Sequence, residues 1–187
     1  MEEEVEFVIG LCQEKMDSSI KHLEKELARI RAGKASPAML DGIMVDYYGS
    51  MTALNQVSNI STPDARTIAI QPWEKSLIPD IEKAIMTANI GLNPENNGEI
   101  IRINIPALTE ERRKALVREV HKEGENAKIS VRSARKEAKE SLKKLLKKGL
   151  SEDLEKDAEA KVQEITDDFG EKINKLVVSK EKDIMTI

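Results

Sequence analysis

Residues 112–148, RRKALVREVHKEGENAKISVRSARKEAKESLKKLLKK, hold fourteen Lys and Arg against five Asp and Glu. The chain as a whole has 187 residues and a formal net charge of −4. One segment is therefore strongly cationic inside an acidic protein, and the overall charge misleads about partners. At about 100° of turn per residue, Leu116, Val120, Ala127, Val131, Ala134, Ala138, Leu142 and Leu145 fall within one narrow arc. Lys114, Lys128, Arg132, Lys139 and Lys143 cluster on one flank of that arc, and Arg118, Lys136 and Lys147 continue it. Arg135 sits at the border with the apolar face. The spacing predicts one long helix with a core side and a cationic ridge, reaching roughly 55 Å at about 1.5 Å per residue.

The neighbouring residues fix where this helix starts and stops. Thr109 is a candidate N-cap, and Glu110 and Glu111 suit the positive end of the helix dipole. Gly149 follows a lysine-rich last turn, as a C-terminal glycine should. Ser151 caps a further helix whose stripe is Leu154, Ala158, Val162, Ile165, Phe169, Ile173 and Leu176. At the other end of the chain, Ile9, Cys12, Met16, Ile20, Leu23, Leu27 and Ile30 recur at helical spacing until Gly33 and Ser36-Pro37 end the pattern. That first helix cannot bury its stripe alone and must pack on the two later ones. Residues 1–30 and 106–187 then form a three-helix bundle, and 31–105 is an insertion. The crossings at Arg31–Ala32 and Ile105–Pro106 would serve as a hinge.

Inside the insertion the periodicity changes. Ile43 to Tyr47 is strand-like and runs into a turn at Gly49-Ser50, Val57 to Ser61 makes a second run, and Thr67 to Ile70 a third, bounded by Pro63-Asp64 and Pro72. Pro79 suits the first turn of a short helix carrying Ile81, Ile85 and Met86. Asn96-Asn97-Gly98 reads as a turn, after which Ile101, Ile103 and Ile105 alternate with polar residues as in a half-buried strand. Every proline but Pro106 falls within 31–105. The segment is a small mixed α/β unit.

Several function classes find no residues here. Cys12 is the single cysteine, so neither a disulfide framework nor a cysteine zinc cluster is available. No apolar run is long enough to span a membrane, and the acidic start Met1-Glu2-Glu3-Glu4 is unlike a secretory signal, so a cytoplasmic protein is expected. No phosphate-binding glycine loop, HExxH or GxSxG pattern occurs. His22 and His121 stand among charged neighbours and read as solvated surface residues, and Cys12 lies on an apolar stripe as a structural thiol. The expectation is a non-enzyme with no cofactor, no metal and no small-molecule substrate.

The ridge itself admits two readings. Its lysines could pair with the acidic last helix and form a solvated face. The surplus of positive charge, with few acids one turn away between 126 and 136, favours binding to a phosphate backbone. Charge does not distinguish RNA from DNA. Arginine is the better bidentate partner of phosphate, which singles out Arg132 and Arg135.

Five blocks in this order resemble the ribosome recycling factor family: Arg31-Ala32-Gly33-Lys34-Ala35-Ser36-Pro37; Asp46-Tyr47-Tyr48-Gly49; Leu92-Asn93-Pro94; Leu108-Thr109-Glu110-Glu111-Arg112-Arg113-Lys114; and Val131-Arg132-Ser133-Ala134-Arg135-Lys136. Ser133 stands where the family often has Asn, and Lys136 where a second Arg is common. The resemblance implies an α+β fold, a long three-helix bundle with an inserted small β/α/β domain in an L-shaped arrangement. It implies a monomer that binds the post-termination ribosome and, with elongation factor G and GTP, splits the subunits and frees tRNA and mRNA. Large-subunit ribosomal RNA would be contacted chiefly by Arg132 and Arg135, with Lys128 and Lys139 on the same ridge and Arg112, Arg113, Arg29 and Arg31 in support.

Overall fold

The computed structural model describes residues 1–30 and 33–186, so two expected hinge residues, Arg31 and Ala32, lie outside the described residues. In chain order the elements are α1 (Glu2–Arg29), β1 (Met44–Tyr47), β2 (Ser50–Ala53), β3 (Ser58–Asp64), β4 (Thr67–Pro72), α2 (Ile78–Thr87), β5 (Pro94–Asn96), β6 (Ile101–Asn104), α3 (Glu110–Lys147) and α4 (Glu152–Met185). Two compact units result. The helices α1, α3 and α4 form one, and Gly33–Thr109 the other.

In the bundle, α3 runs antiparallel to both neighbours. Cys12 Sγ donates to the Ala134 carbonyl while Met1 lies beside Gly149. On the other side His121 meets Glu181 and Arg135 meets Gln163. The buried stripe of α3 is the expected one, Leu116, Val120, Ala127, Val131, Ala134, Ala138, Leu142 and Leu145, with Gly124 added. Each fully buried Leu or Val contributes about 1.5–3 kcal/mol relative to an exposed one. Cys12, Met16, Ile20, Leu23 and Leu27 of α1 complete that face.

The stripe of α4 is shifted at both ends. Leu154 is 41% exposed, and Glu155 is buried in its place. At the far end Val177 is buried and Leu176 only half so. The cause is the choice between i−3 and i−4 neighbours on one face: from Ala158 the seam continues through the residue three positions back, not four.

The turn between α3 and α4 is built as expected. Gly149 has φ +107, its N–H donates to Leu146 O at 3.1 Å, and the Leu150 N–H donates to Leu145 O at 3.1 Å. This is the Schellman arrangement, with buried Leu150 as its apolar contact. Ser151 Oγ then accepts the Leu154 N–H at 3.3 Å and caps α4.

The second unit holds a four-stranded antiparallel sheet, order β3-β4-β6-β5, and a separate β1-β2 hairpin. Ile68, Ile70, Ile101 and Ile103 point inward from β4 and β6 and share a core with Ile81 and Ile85 of α2. Met86, expected beside them, is 65% exposed because it follows Ile85 by one residue and turns off the buried face. Strands β2 and β5 add to the runs that the sequence pattern marks, and Pro63-Asp64, expected as a boundary, lies inside β3, where the pairing shifts register between Ser61 and Asp64.

Ile105 is buried in this unit's core, and its N–H donates to Arg66 O at 2.8 Å. Pro106 is exposed beyond β6, and Leu108 packs on Gly33, so the unit extends through Thr109.

Candidate nucleic-acid interface

Lys128, Arg132, Arg135 and Lys139 recur on α3 at steps of four, three and four, so one side of the helix carries all four over about 16 Å. Arg132 is exposed; Lys128, Arg135 and Lys139 are half-buried, their stems lying along the helix seam. Opposite them on α4 stand Gln163, Asp167 and Glu171. Together with Lys128, Arg132 and Arg135 they line an open groove of about 390 Å³ floored by Val131 and Ile173.

The groove bears on the two electrostatic readings of the ridge. Lys128 is 3.6 Å from Glu125 of its own helix. Arg135 donates from Nη1 to the neutral Gln163 amide at 3.3 Å. Among the described residues, none of Lys128, Arg132, Arg135, Lys139 and Lys143 forms an ion pair with an acid of α4. The cationic flank thus forms no close ion pair with the acidic helix beside it, although Lys143 acts on Glu155 and Asp167 and Glu171 share the groove. Such a surface attracts polyanions, and two arginines one turn apart suit adjacent phosphate oxygens.

The other basic residues are spread out. Arg112 and Arg113 open α3, roughly 30 Å from Arg132 at about 1.5 Å per residue. Arg112 is exposed; Arg113 is half-buried, with its Nε lacking a hydrogen-bond partner. Arg29 closes α1 and pairs with Glu26 at 3.2 Å. Arg31 lies outside the described residues. The structure therefore gathers Lys128, Arg132 and Arg135 at one groove with Lys139 a turn beyond, and places Arg112, Arg113 and Arg29 elsewhere in the bundle.

The residues set aside on sequence grounds sit as expected. His22 is exposed, and His121 faces Glu181 at 3.4 Å on the surface. Cys12 is buried, and that burial pushes its thiol pKa up. Among the described residues no group of three or more His, Cys, Asp and Glu is placed to hold a metal ion, and no helix is long and apolar enough to cross a membrane.

The family model described as ribosome recycling factor matches residues 23–185. The chain belongs to the ribosome recycling factor family. Its function is ribosome recycling, within translation. A ribosome-recycling factor of Flavobacterium johnsoniae is 54% identical over 187 residues, covering 100% of both chains. A solution structure of a ribosome recycling factor is 41% identical, with a TM-score of 0.77 over 98% of each chain. The T. thermophilus ribosome recycling factor, in a structure with the E. coli elongation factor G bound to the E. coli post-termination complex, is 43% identical with a TM-score of 0.62. It covers 97% of this chain and 98% of that one.

Within this member of the ribosome recycling factor family, the α4 wall of the groove was not legible in the sequence. Gln163, Asp167 and Glu171 sit among many other polar residues on α4. A signal was present in the antiparallel pairing. Gly149 fixes the turn, and counting back from it along α3 and forward along α4 brings residue 135 level with residue 163.

Proposed function

We propose that the chain recycles ribosomes by laying the α3 ridge on large-subunit ribosomal RNA, with Arg132 and Arg135 as the main contacts. Lys128 and Lys139 extend that contact along the same flank, and Arg112, Arg113, Arg29 and Arg31 support it nearer the start of α3 and the end of α1. The observation that carries this reading is the groove, where, among the described residues, Arg132 has no acidic partner and Arg135 has only a neutral one. An A-form or folded RNA is read there through phosphate and shape.

The partners follow from the family. The protein acts as a monomer in the cytoplasm with elongation factor G, whose GTP hydrolysis supplies the free energy for splitting the subunits and releasing tRNA and mRNA. The chain contributes binding and a mechanical path, and no catalysis of its own. The connections at Arg31–Ala32 and at Ile105–Pro106 act as the hinge through which the small unit responds to the GTPase.

Sedimentation of post-termination complexes with elongation factor G and GTP tests the reading. The full chain should convert them to free subunits. Arg132→Ala, with unchanged thermal unfolding, should lose most of this activity through weaker binding to large subunits. Binding and splitting at wild-type levels by that variant would remove Arg132 from the interface.

A further inference from the structure

Arg135 differs from Arg132 in being held by a side chain of α4. Its Nη1 donates to Gln163 Oε1 at 3.3 Å, and Gln163 Nε2 donates in turn to Asp167 Oδ1 at 2.9 Å. This chain of contacts has a direction. An ionised carboxylate only accepts, so Asp167 fixes which end of the Gln163 amide carries the NH₂ group. A guanidinium only donates, so it requires the carbonyl end. One amide orientation satisfies both neighbours, and the reversed one satisfies neither.

Gln163 and Asp167 are four residues apart on α4, so the helix sets their spacing without help from a loop. Arg135 is half-buried at the seam, with its stem beside Val131 and its head at the groove. The bond to Gln163 uses one of five guanidinium N–H donors and leaves the others for a phosphate. Because Gln163 is neutral, it holds the side chain without cancelling its charge. An acid at the same place would hold it and neutralise it. Asp167 itself stands one further step from the guanidinium, where it holds the amide rather than the arginine.

We infer that Gln163, oriented by Asp167, is a positioning residue that fixes the Arg135 guanidinium for a phosphate of ribosomal RNA. This rests on the reading of the ridge proposed above. A long side chain already fixed in the free protein gives up less rotamer freedom on binding. The gain expected from one such side chain is about three- to tenfold in affinity.

Filter binding of the full-length protein to purified large ribosomal subunits, over a range of salt concentrations, tests the inference. Gln163→Met keeps the bulk and removes both hydrogen bonds; Gln163→Ala is read as well in case the first variant disturbs packing. Either should weaken binding about three- to tenfold and move the salt slope towards that of Arg135→Ala, which loses about one phosphate contact. Adding Gln163→Met to Arg135→Ala should change neither affinity nor slope. A merely structural contact would leave the slope untouched, since no charge is altered.

Wild-type affinity and slope in both Gln163 variants would overturn the positioning role, and so would an additive loss in the double variant. If Arg132→Ala weakens binding but Arg135→Ala does not, the ridge stands and the positioning role falls. If neither arginine variant weakens binding, the ridge reading itself has failed, and the inference with it.

Discussion

Gly124 of α3 faces Val177 of α4 so closely that a Cβ on the glycine would lie 2.6 Å from the valine Cγ2. The absence of a side chain at 124 lets the two helices approach there, and Gly124 is buried accordingly. Alanine would add about 1 kcal/mol of helix propensity, but the overlap costs about 1–3 kcal/mol in a packed seam. Gly124→Ala should therefore lower stability by about 1 kcal/mol, read as a lower urea midpoint at constant slope. In a Val177→Ala background the same substitution should turn neutral or stabilising.

Gly33 makes the corresponding demand in the small unit. Its φ of +73 is in the left-handed region, and a Cβ there would lie 2.8 Å from Leu108 Cγ. Gly33→Ala should cost about 1–3 kcal/mol from backbone strain and overlap together. Gly42, also at positive φ but with open space around it, is the control. Gly42→Ala should cost only the backbone part, and thermal unfolding of the two variants measures the difference.

Stability should depend on pH through Glu155. Burial raises its pKa above the ordinary carboxylate value, the neighbouring Glu159 raises it further, and Lys143 partly opposes both. A carboxyl whose folded pKa lies above its unfolded one binds protons more tightly when folded. Its contribution to stability then falls as pH rises through the window above the ordinary value. Glu155→Gln should be more stable than the native chain at pH 7, and the gap should close as pH is lowered towards 4.5. Denaturant melts at a series of pH values would show it; a gap that does not change with pH would remove Glu155 as the cause.

Cys12 provides a probe of bundle opening. Burial raises its thiol pKa, outweighing the nearby Lys15, and Sγ already donates to the Ala134 carbonyl at 3.8 Å. Reaction with an aromatic disulfide reagent at neutral pH should be slow in the native chain and fast in denaturant. Phe7→Ala, which trims the rim of the crevice beside Cys12, should speed the native reaction without changing the denatured one.

Arg132 is exposed and, among the described residues, forms no ion pair, so its replacements separate charge from shape. Arg132→Lys keeps the charge and loses the planar fork. It should retain the salt slope of binding to large subunits while weakening affinity several-fold. Arg132→Ala should lower the slope by about one as well.

The bundle was legible because its signal is long and periodic. All eight apolar positions expected on α3 are buried, since a stripe repeated over about eight turns has only one face to occupy. The errors fall where the period is too short to decide. Leu154 and Leu176 lie at the two ends of the α4 stripe, where a one-residue shift leaves few other positions to contradict it. Strands β2 and β5, of four and three residues, carry too little alternation to register. The cationic half of the groove was visible as charge at helical spacing. Its other half depends on which residues of α4 come level with the ridge, and that is settled by packing between helices.

The longest element has one further implication. Helix α3 runs for 38 residues without a proline, and the antiparallel α1 and α4 clamp it along one seam. Splinted in this way it has the build of a lever. A force delivered at one end would reach the other with little lost to bending, and a small rotation would become a large displacement at the tip.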